Sequence, residues 1–380
     1  MPNVLLIGDT LRSPELRHEV PLGIGDPFFY LEVDGHRHVY IAAMEAQRLG
    51  ARDLGLIVHP FEEIGRDELV ARGLSLQELL LEAAARACAH AGLTSAVVPV
   101  TFPAGYLDRL RREGVELVVD QAEFDDRRRV KTAEELAGIR RAQRAAEAGL
   151  AAGMEVLRGA VPRNGALVHE GEELTVERVK AAVASAFLEH GAVADEFIVA
   201  PGPQGAVGHE MGHGPIRPGE PVVFDLWPRD PASSCYADMT RTVVVGSPSD
   251  EVREWHRLAR EALAQTTALV RAGVDSRSLH LAACDVFEQA GYPTQRTKAA
   301  GEVLVDGFFH GLGHGVGLDV HEQPSLGITQ GRPLVAGDVI TLEPGLYRRG
   351  VGGVRLEDLV LVTEDGCEVL TDAPYGLDVP

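Results

Sequence analysis

An α+β chain of two domains is what the sequence predicts: a smaller α/β unit over 1–125 and a larger domain over 126–380. Three observations carry that expectation. Strand and helix signals alternate through the first third. A capping box of Thr132 and Glu135 opens a long helix just after a basic cluster, and everything beyond Gly301 is rich in glycine and short β-like runs.

In the first unit "NVLLIG", "PFFYLEV", "HRHVYIA", "LGLIVH", "SAVVPVTF" and "VELVVD" read as strands, with Asp34-Gly35 as the hairpin turn between the second and third. Between them "SLQELLLEAAARACAHAG" reads as a helix closed by Gly92, with Leu76, Leu79, Leu80, Ala83 and Ala87 on one face. No glycine-rich turn follows the first strand, which removes support for a dinucleotide-binding fold. The cluster Arg127, Arg128 and Arg129 reads as a solvated helix entry at the domain junction. Three helices then follow, in "KTAEELAGIRRAQRAAEAGLAAGMEVLRGA", "TVERVKAAVASAFLEHG" and "DEVREWHRLAREALAQTTALVRAG".

Composition bounds the function. The chain has 380 residues, 45% of them apolar and 24% charged, and a formal charge of -21, which repels phosphate backbones and anionic lipid. Nucleic acid and membrane are therefore not expected partners. The opening "MPNVLLIGDTLRSPE" has no basic start and only a short apolar run, and four scattered cysteines form no framework, so a cytoplasmic protein is expected.

The most informative feature is an internal echo. "IRPGEPVVFD" ending at Asp225 and "LVAGDVITLE" ending at Glu343 each run from a glycine to a carboxylate six positions on, and a second acid, Asp238 or Glu357, follows 13 or 14 positions later. A pseudo-twofold arrangement would gather all four. Four carboxylates cannot share a dry site unless their charge is cancelled, and two divalent cations would cancel it, with partial help from Arg241 and Arg355. "GLGHGVGLDVHE" supplies a histidine ligand: His314 sits between Gly313 and Gly315, where bare backbone permits close approach. His321 lies seven positions on, within reach of a substrate, and His310 reads as packing or support. Oxygen ligands with one imidazole suit manganese, cobalt, iron or zinc.

"HEMGH" at 209–213 matches a zinc-protease signature that requires a helix, but the many glycines and prolines in "PGPQGAVGHEMGHGPIRPGEP", among them Pro201, Gly202, Pro203, Gly205, Gly208, Gly212, Gly214, Pro215 and Pro218, make that helix costly. A loop presenting His209 over the site is expected instead. The chain lacks G-x-S-x-G, and Trp227 and Trp255 read as packing.

"VVFDLWPRDPASSCYADMTRTVVVG", "GLGHGVGLDVHE", "TLEPGLY" and "GGVRLEDLVLV" resemble the ordered motifs of the metallopeptidases with the pita-bread fold, a family that includes methionine aminopeptidases, aminopeptidase P, prolidases and creatinase. The resemblance runs from about residue 131 to the end; the first 125 residues are similar only in outline to the N-terminal domain of the prolidase group. It implies a pita-bread catalytic domain and two divalent metal ions per chain, manganese preferred. By the matching motifs Asp225 chelates one ion, Asp238 and Glu357 bridge the pair, and His314 and Glu343 complete the other ion's shell. Glu343 is then also the proton shuttle, His209 and His321 hold the scissile carbonyl or the tetrahedral intermediate, and Thr240 orients a carboxylate. The spacing from Asp225 to Asp238 is longer than in most prolidases, which makes Asp230 a neighbour to check.

The implied activity is hydrolysis of the bond before proline, with small Xaa-Pro dipeptides as substrates and a homodimer as the assembly. An Xaa-Pro aminopeptidase acting on longer peptides, and a non-catalytic binding protein on the same scaffold, remain as alternatives. Dipeptide selection needs a cation for the free carboxylate, for which Arg332, Arg348 and Arg355 are candidates.

Overall fold

A computed structural model describes residues 2–379. The chain divides into two compact units, Met1–Arg128 and Arg129–Pro380. The first is built on a mixed sheet of six strands, β1 (Val4–Gly8), β2 (Phe28–Val33), β3 (His36–Ile41), β4 (Ile57–Pro60), β5 (Ser95–Val98) and β6 (Glu116–Val119), ordered β4-β3-β2-β1-β5-β6. All six correspond to runs expected from the sequence. The turn between β2 and β3 is at Asp34 and Gly35, both with positive φ, as a tight right-twisted hairpin requires. Apolar side chains pack on both faces of this sheet, one layer including Leu5, Phe29 and Leu31 and the other Val4, Leu6 and Tyr30.

Helix Leu76–Ala91 is capped at both ends: Ser75 and Glu78 form a capping box, and Gly92 closes it at φ 71°. Its buried face is Leu79, Ala83, Ala84, Ala87 and Cys88. Leu76, expected on that face, is 74% exposed because it occupies the first helical position, before the helix reaches the sheet.

The arginine cluster differs from a solvated entry. It ends helix Gln121–Arg129, and its side chains are buried against carboxylates. Arg127 spans Glu19, Glu32 and Glu123 at 2.8–3.0 Å, and Arg128 lies 3.5 Å from Glu15. A run of like charges marks a solvated face only when no acids converge on it from other elements, and here they do.

In the second unit Thr132 and Glu135 do form the capping box that opens helix Ala133–Arg158. This helix pairs with Val176–Glu189, and Asp250–Leu269 pairs with Ser276–Gln289, a helix the sequence reading left out. Strands β7 (Val161–Arg163), β8 (Ala166–His169) and β9 (Glu172–Glu173) form a small meander between the first two helices. Each helix pair covers a sheet. The first packs on β10 (Ile198–Pro201), β11 (Pro221–Leu226) and β12 (Met239–Val244), burying Leu150, Val183, Phe187, Val222 and Phe224.

The second helix pair packs on a five-stranded sheet. Its strands are β13 (Gly313–Gly315), β14 (Glu322–Leu326), β15 (Val339–Leu342), β18 (Asp358–Val362) and β19 (Cys367–Val369), with a hairpin of β16 (Gly345–Arg348) and β17 (Gly352–Arg355) beside it. Trp255, Leu258, Phe287, Ile340 and Leu342 lie in this core, so Trp255 is packing, as its sequence context indicates. Helix pair plus antiparallel sheet thus occurs twice, matching the echo in the sequence. No helix among the described residues is long and apolar enough to cross a membrane.

Arg129 grips Asp338 with two hydrogen bonds, Nε to Oδ1 at 2.9 Å and Nη2 to Oδ2 at 2.7 Å, at an acid whose side chain is wholly buried. Arg129→Met would strand that charge and should cost about 3–5 kcal/mol. Urea denaturation followed by circular dichroism would measure it. Adding Asp338→Asn should recover part of the loss.

Candidate metal centre

The two sheets deliver four carboxylates by strand register. Asp225 lies opposite Thr240 across β11 and β12, so the two side chains share a face, and Asp238, two positions before Thr240, shares it too. In the second sheet Leu342 pairs with Asp358, and Glu343 and Glu357 each lie one residue beyond that pair. A link between the sheets closes the group: the Glu357 amide donates to the Thr240 carbonyl at 3.0 Å, and the Thr240 hydroxyl donates to Glu357 Oε2 at 2.6 Å. The Thr240 hydroxyl thus holds a carboxylate in place.

His314 completes the set. Its Nε2 lies 3.7 Å from Asp238 Oδ2 and 3.6 Å from Glu343 Oε1, while Nδ1 is 3.1 Å from its neighbour's carbonyl at Gly315. A proton on Nδ1 satisfies that bond and leaves the Nε2 lone pair facing the acids. The flanking glycines are a steric requirement. A Cβ at Gly313 would stand 2.1 Å from the Thr341 carbonyl oxygen, and one at Gly315 would stand 2.3 Å from that of Gln323. Backbone therefore presses on both sides of the histidine.

Burial governs the electrostatics. Asp238 is 4% exposed and Glu357 1%; burial, then the neighbouring carboxylates, holds both well above the usual carboxylate range. Burial also pushes Glu343 up to about 7, with Arg355 opposing and Asp225 assisting. His314 is pushed down to about 4, chiefly by burial and then by His321, which keeps the imidazole neutral.

Arg355 sits inside the group, bonded to Asp225, to the Thr240 hydroxyl at 3.1 Å and to the Tyr347 hydroxyl at 3.1 Å. It is thus a counter-ion of the centre and not a free reader of a substrate carboxylate. Arg348 pairs with Glu251 at 2.6 Å, and the backbone of Arg332 is bonded to Ser276. Arg241 faces away, to Asp358 and the carbonyls of Glu357 and Ala373, so compensation comes from Arg355 alone of the two arginines expected to supply it. Asp230 stands apart as well, paired with Arg141 and accepting from Ser233 at a turn.

The donor set fits metal ions. Asp238, His314 and Glu357 each offer a ligand atom within 4.8 Å of the other two, and Asp238 Oδ1 and Glu357 Oε1 are buried oxygens without a hydrogen-bond partner. A buried carboxylate oxygen with no donor is unfavourable unless a cation meets it.

Three further histidines rim the centre. The His321 ring stands edge-on to His314 at 4.2 Å between centroids, and His310 lies 3.9 Å from Glu343 and 2.9 Å from the Tyr347 hydroxyl. His310 is therefore a supporting residue. His209 is exposed in a turn. Burial, then Arg355, pushes His310 down to about 3, and burial, then His209, lowers His321. Residues 207–215 contain no helix, and Gly212 at φ 83° presses against the Val199 carbonyl, so the zinc-protease pairing of His209 with His213 does not form.

Tyr347 and the pairing of Arg355 with Asp225 in particular were missed in the sequence, although Arg355 was expected to offset the acids. A signal existed for Arg355, because residues 355 and 357 of an extended run share a face. Tyr347 had none; it reaches the site through the β16–β17 hairpin.

Residues 137–364 match the pattern of metallopeptidase family M24. The chain belongs to that family. An Xaa-Pro dipeptidase of Pyrococcus horikoshii is 30% identical over 290 residues, 74% of this chain and 74% of that protein. One from Pyrococcus furiosus is 36% identical over 181 residues, so the match spans 47% of that relative's length. Among solved structures, an X-Pro aminopeptidase from Thermotoga maritima superposes with a TM-score of 0.79 at 22% identity, covering 100% of this chain and 97% of that one, which shows the fold. The dipeptidase PepE from Mycobacterium ulcerans superposes at 0.75 with 27% identity, covering 100% and 94%. Family M24 membership and the pita-bread architecture agree with the motifs read from the sequence.

Asp238→Asn should separate charge from ligation. In metal-free protein it removes one repelling charge and should raise the melting temperature by a few degrees. On exposure to manganese the same variant should retain less metal than the parent, read by elemental analysis. A lower melting temperature of the metal-free variant would contradict the electrostatic account.

Proposed function

We propose that this M24 chain is a dinuclear metallopeptidase that hydrolyses the bond before proline, with Xaa-Pro dipeptides as substrates. What carries the proposal is the gathering of four carboxylates and His314, with two buried oxygens lacking a partner, beside the imidazoles of His310 and His321. The relatives from Pyrococcus horikoshii and Pyrococcus furiosus, named Xaa-Pro dipeptidases, support the substrate class. Asp225 would hold one ion, Asp238 and Glu357 would lie between the two, and His314 and Glu343 would hold the other. Manganese is the ion proposed, since oxygen donors dominate the set. When bound, such ions supply a water acidified towards a pKa of ~7 and a polarised carbonyl.

The chain's own groups do the rest. Glu343 takes the nucleophile's proton and passes it to the leaving nitrogen, which has no amide hydrogen in a prolyl bond. His321 and His209 donate to the carbonyl oxygen as negative charge grows there. Arg355 holds Asp225 and the Tyr347 hydroxyl in place.

His321→Ala should lower kcat by about 100-fold, as loss of a single oxyanion donor does, with metal content unchanged. Metal loss in that variant would place His321 among the ligands. Amino-acid release from Ala-Pro and Ala-Pro-Ala by the manganese-loaded protein, side by side, tests the specificity. Cleavage of the dipeptide alone is expected; cleavage of the tripeptide would make the chain an Xaa-Pro aminopeptidase, and silence on both with metal bound would overturn the proposal.

A further inference from the structure

The N-terminal unit carries a second gathering of imidazoles, which the catalytic centre does not use. His36 and His38 alternate with Arg37 along β3, so their side chains leave the same face of the sheet. Strand β4 runs parallel beside β3 and pairs His59 with Tyr40, and His90 arrives from the last turn of helix Leu76–Ala91. His38 Nδ1 and His59 Nε2 lie 3.0 Å apart, and their rings stack at 5.3 Å between centroids. The His36 ring stands 6.5 Å from that of His38, and the His90 ring 5.3 Å from that of His59.

Outer groups fix the orientation of two of these rings. Glu63 Oε2 is 2.7 Å from His59 Nδ1, so Nδ1–H donates to the carboxylate and the Nε2 lone pair is directed at His38. The Tyr40 hydroxyl, from a wholly buried residue, is 2.7 Å from His90 Nδ1. A carboxylate that accepts from one imidazole nitrogen and leaves the other as a lone pair is the support that metal-binding histidines usually have.

A hydrogen bond between His38 and His59 accounts for those two rings and gives His36 no part. A metal ion accounts for all three. Tetrahedral coordination with metal–nitrogen bonds of about 2.0–2.1 Å sets ligand nitrogens roughly 3.3 Å apart, a few tenths of an ångström beyond the separation already present. The group Asp238, His314 and Glu357 of the second unit is the one among the described residues with three ligand atoms already within 4.8 Å of one another. In the histidine cluster two nitrogens are set, and the third would come from His36, exposed at the start of β3 with its ring 6.5 Å from that of His38.

We propose that His36, His38 and His59 bind one borderline transition-metal ion of the zinc, nickel or copper class, with Glu63 orienting His59. Three imidazoles and an open position form a zinc-type donor set, whereas manganese prefers the oxygen-rich centre of the second unit. The chain would then hold two sites of different metal preference.

Zinc counting on the full chain tests this. Protein equilibrated with zinc and freed of unbound metal would be measured by elemental mass spectrometry, with circular dichroism confirming the fold. His38→Gln and His59→Gln should each carry one zinc fewer than the parent, and His36→Gln, at an exposed position, should show the same loss with no risk to the fold. Glu63→Gln should retain the site with zinc affinity weakened about 10-fold or more. The difference should persist in an Asp238→Ala background, which separates it from the catalytic centre. Equal zinc counts in the parent and the three histidine variants would overturn the proposal and leave a hydrogen-bonded His38–His59–Glu63 chain in its place.

Discussion

Four carboxylates, Asp225, Asp238, Glu343 and Glu357, are held together where burial removes the water that would screen them, and Arg355 is a single cation among them. The rest of the second unit can be understood as the scaffold for that constraint. Like charges at such distances repel strongly in a medium of low effective dielectric, so the group needs either cations beside it or protons on some of its acids. Arg355 relieves one acid by pairing with Asp225, and its remaining bonds to Thr240 and Tyr347 fix the guanidinium itself. Divalent ions are the chemistry left for the unpartnered oxygens of Asp238 and Glu357.

Position is enforced by backbone more than by side-chain packing. Each helix pair buries one face of its sheet, which leaves the strand ends to present acids toward the other half. Thr240 ties the two halves together by carbonyl and hydroxyl at once. Glycine recurs where two strands must approach more closely than a Cβ allows: around His314, and at Gly353, where an added Cβ would stand 2.4 Å from the Gly205 carbonyl oxygen and 2.3 Å from the Tyr347 ring. The bareness of "GLGHGVG" therefore comes from the crowding of backbone around one imidazole.

The first unit solves a different problem with the same residue types. Its arginines are buried in ion pairs with Glu15, Glu19 and Glu32, where they serve the core. Its histidines gather on one sheet face with one carboxylate behind them, a nitrogen-rich environment that contrasts with the oxygen-rich centre of the second unit. Ligand chemistry, more than charge count, distinguishes what the two would accept.

Patterns local to the chain were legible in the sequence by itself: the six strands of the first unit, the capping box at Thr132, the helix end at Gly92, the non-helical "HEMGH", and the two carboxylate-bearing strand pairs whose shared spacing betrays a repeat. Those features follow from periodicity, turn chemistry and backbone preference, which act between near neighbours. Tertiary structure alone decided what distant residues meet. It turned the expected solvated cluster at Arg127 to Arg129 into ion pairs, chose for Arg355 the counter-ion role over the substrate one by pairing it with Asp225, sent Asp230 to Arg141, and brought Tyr347 and His310 beside Glu343. A charged side chain reads the same in sequence whether its partner is water or an acid a hundred residues away. Only folding removes the water and makes the choice.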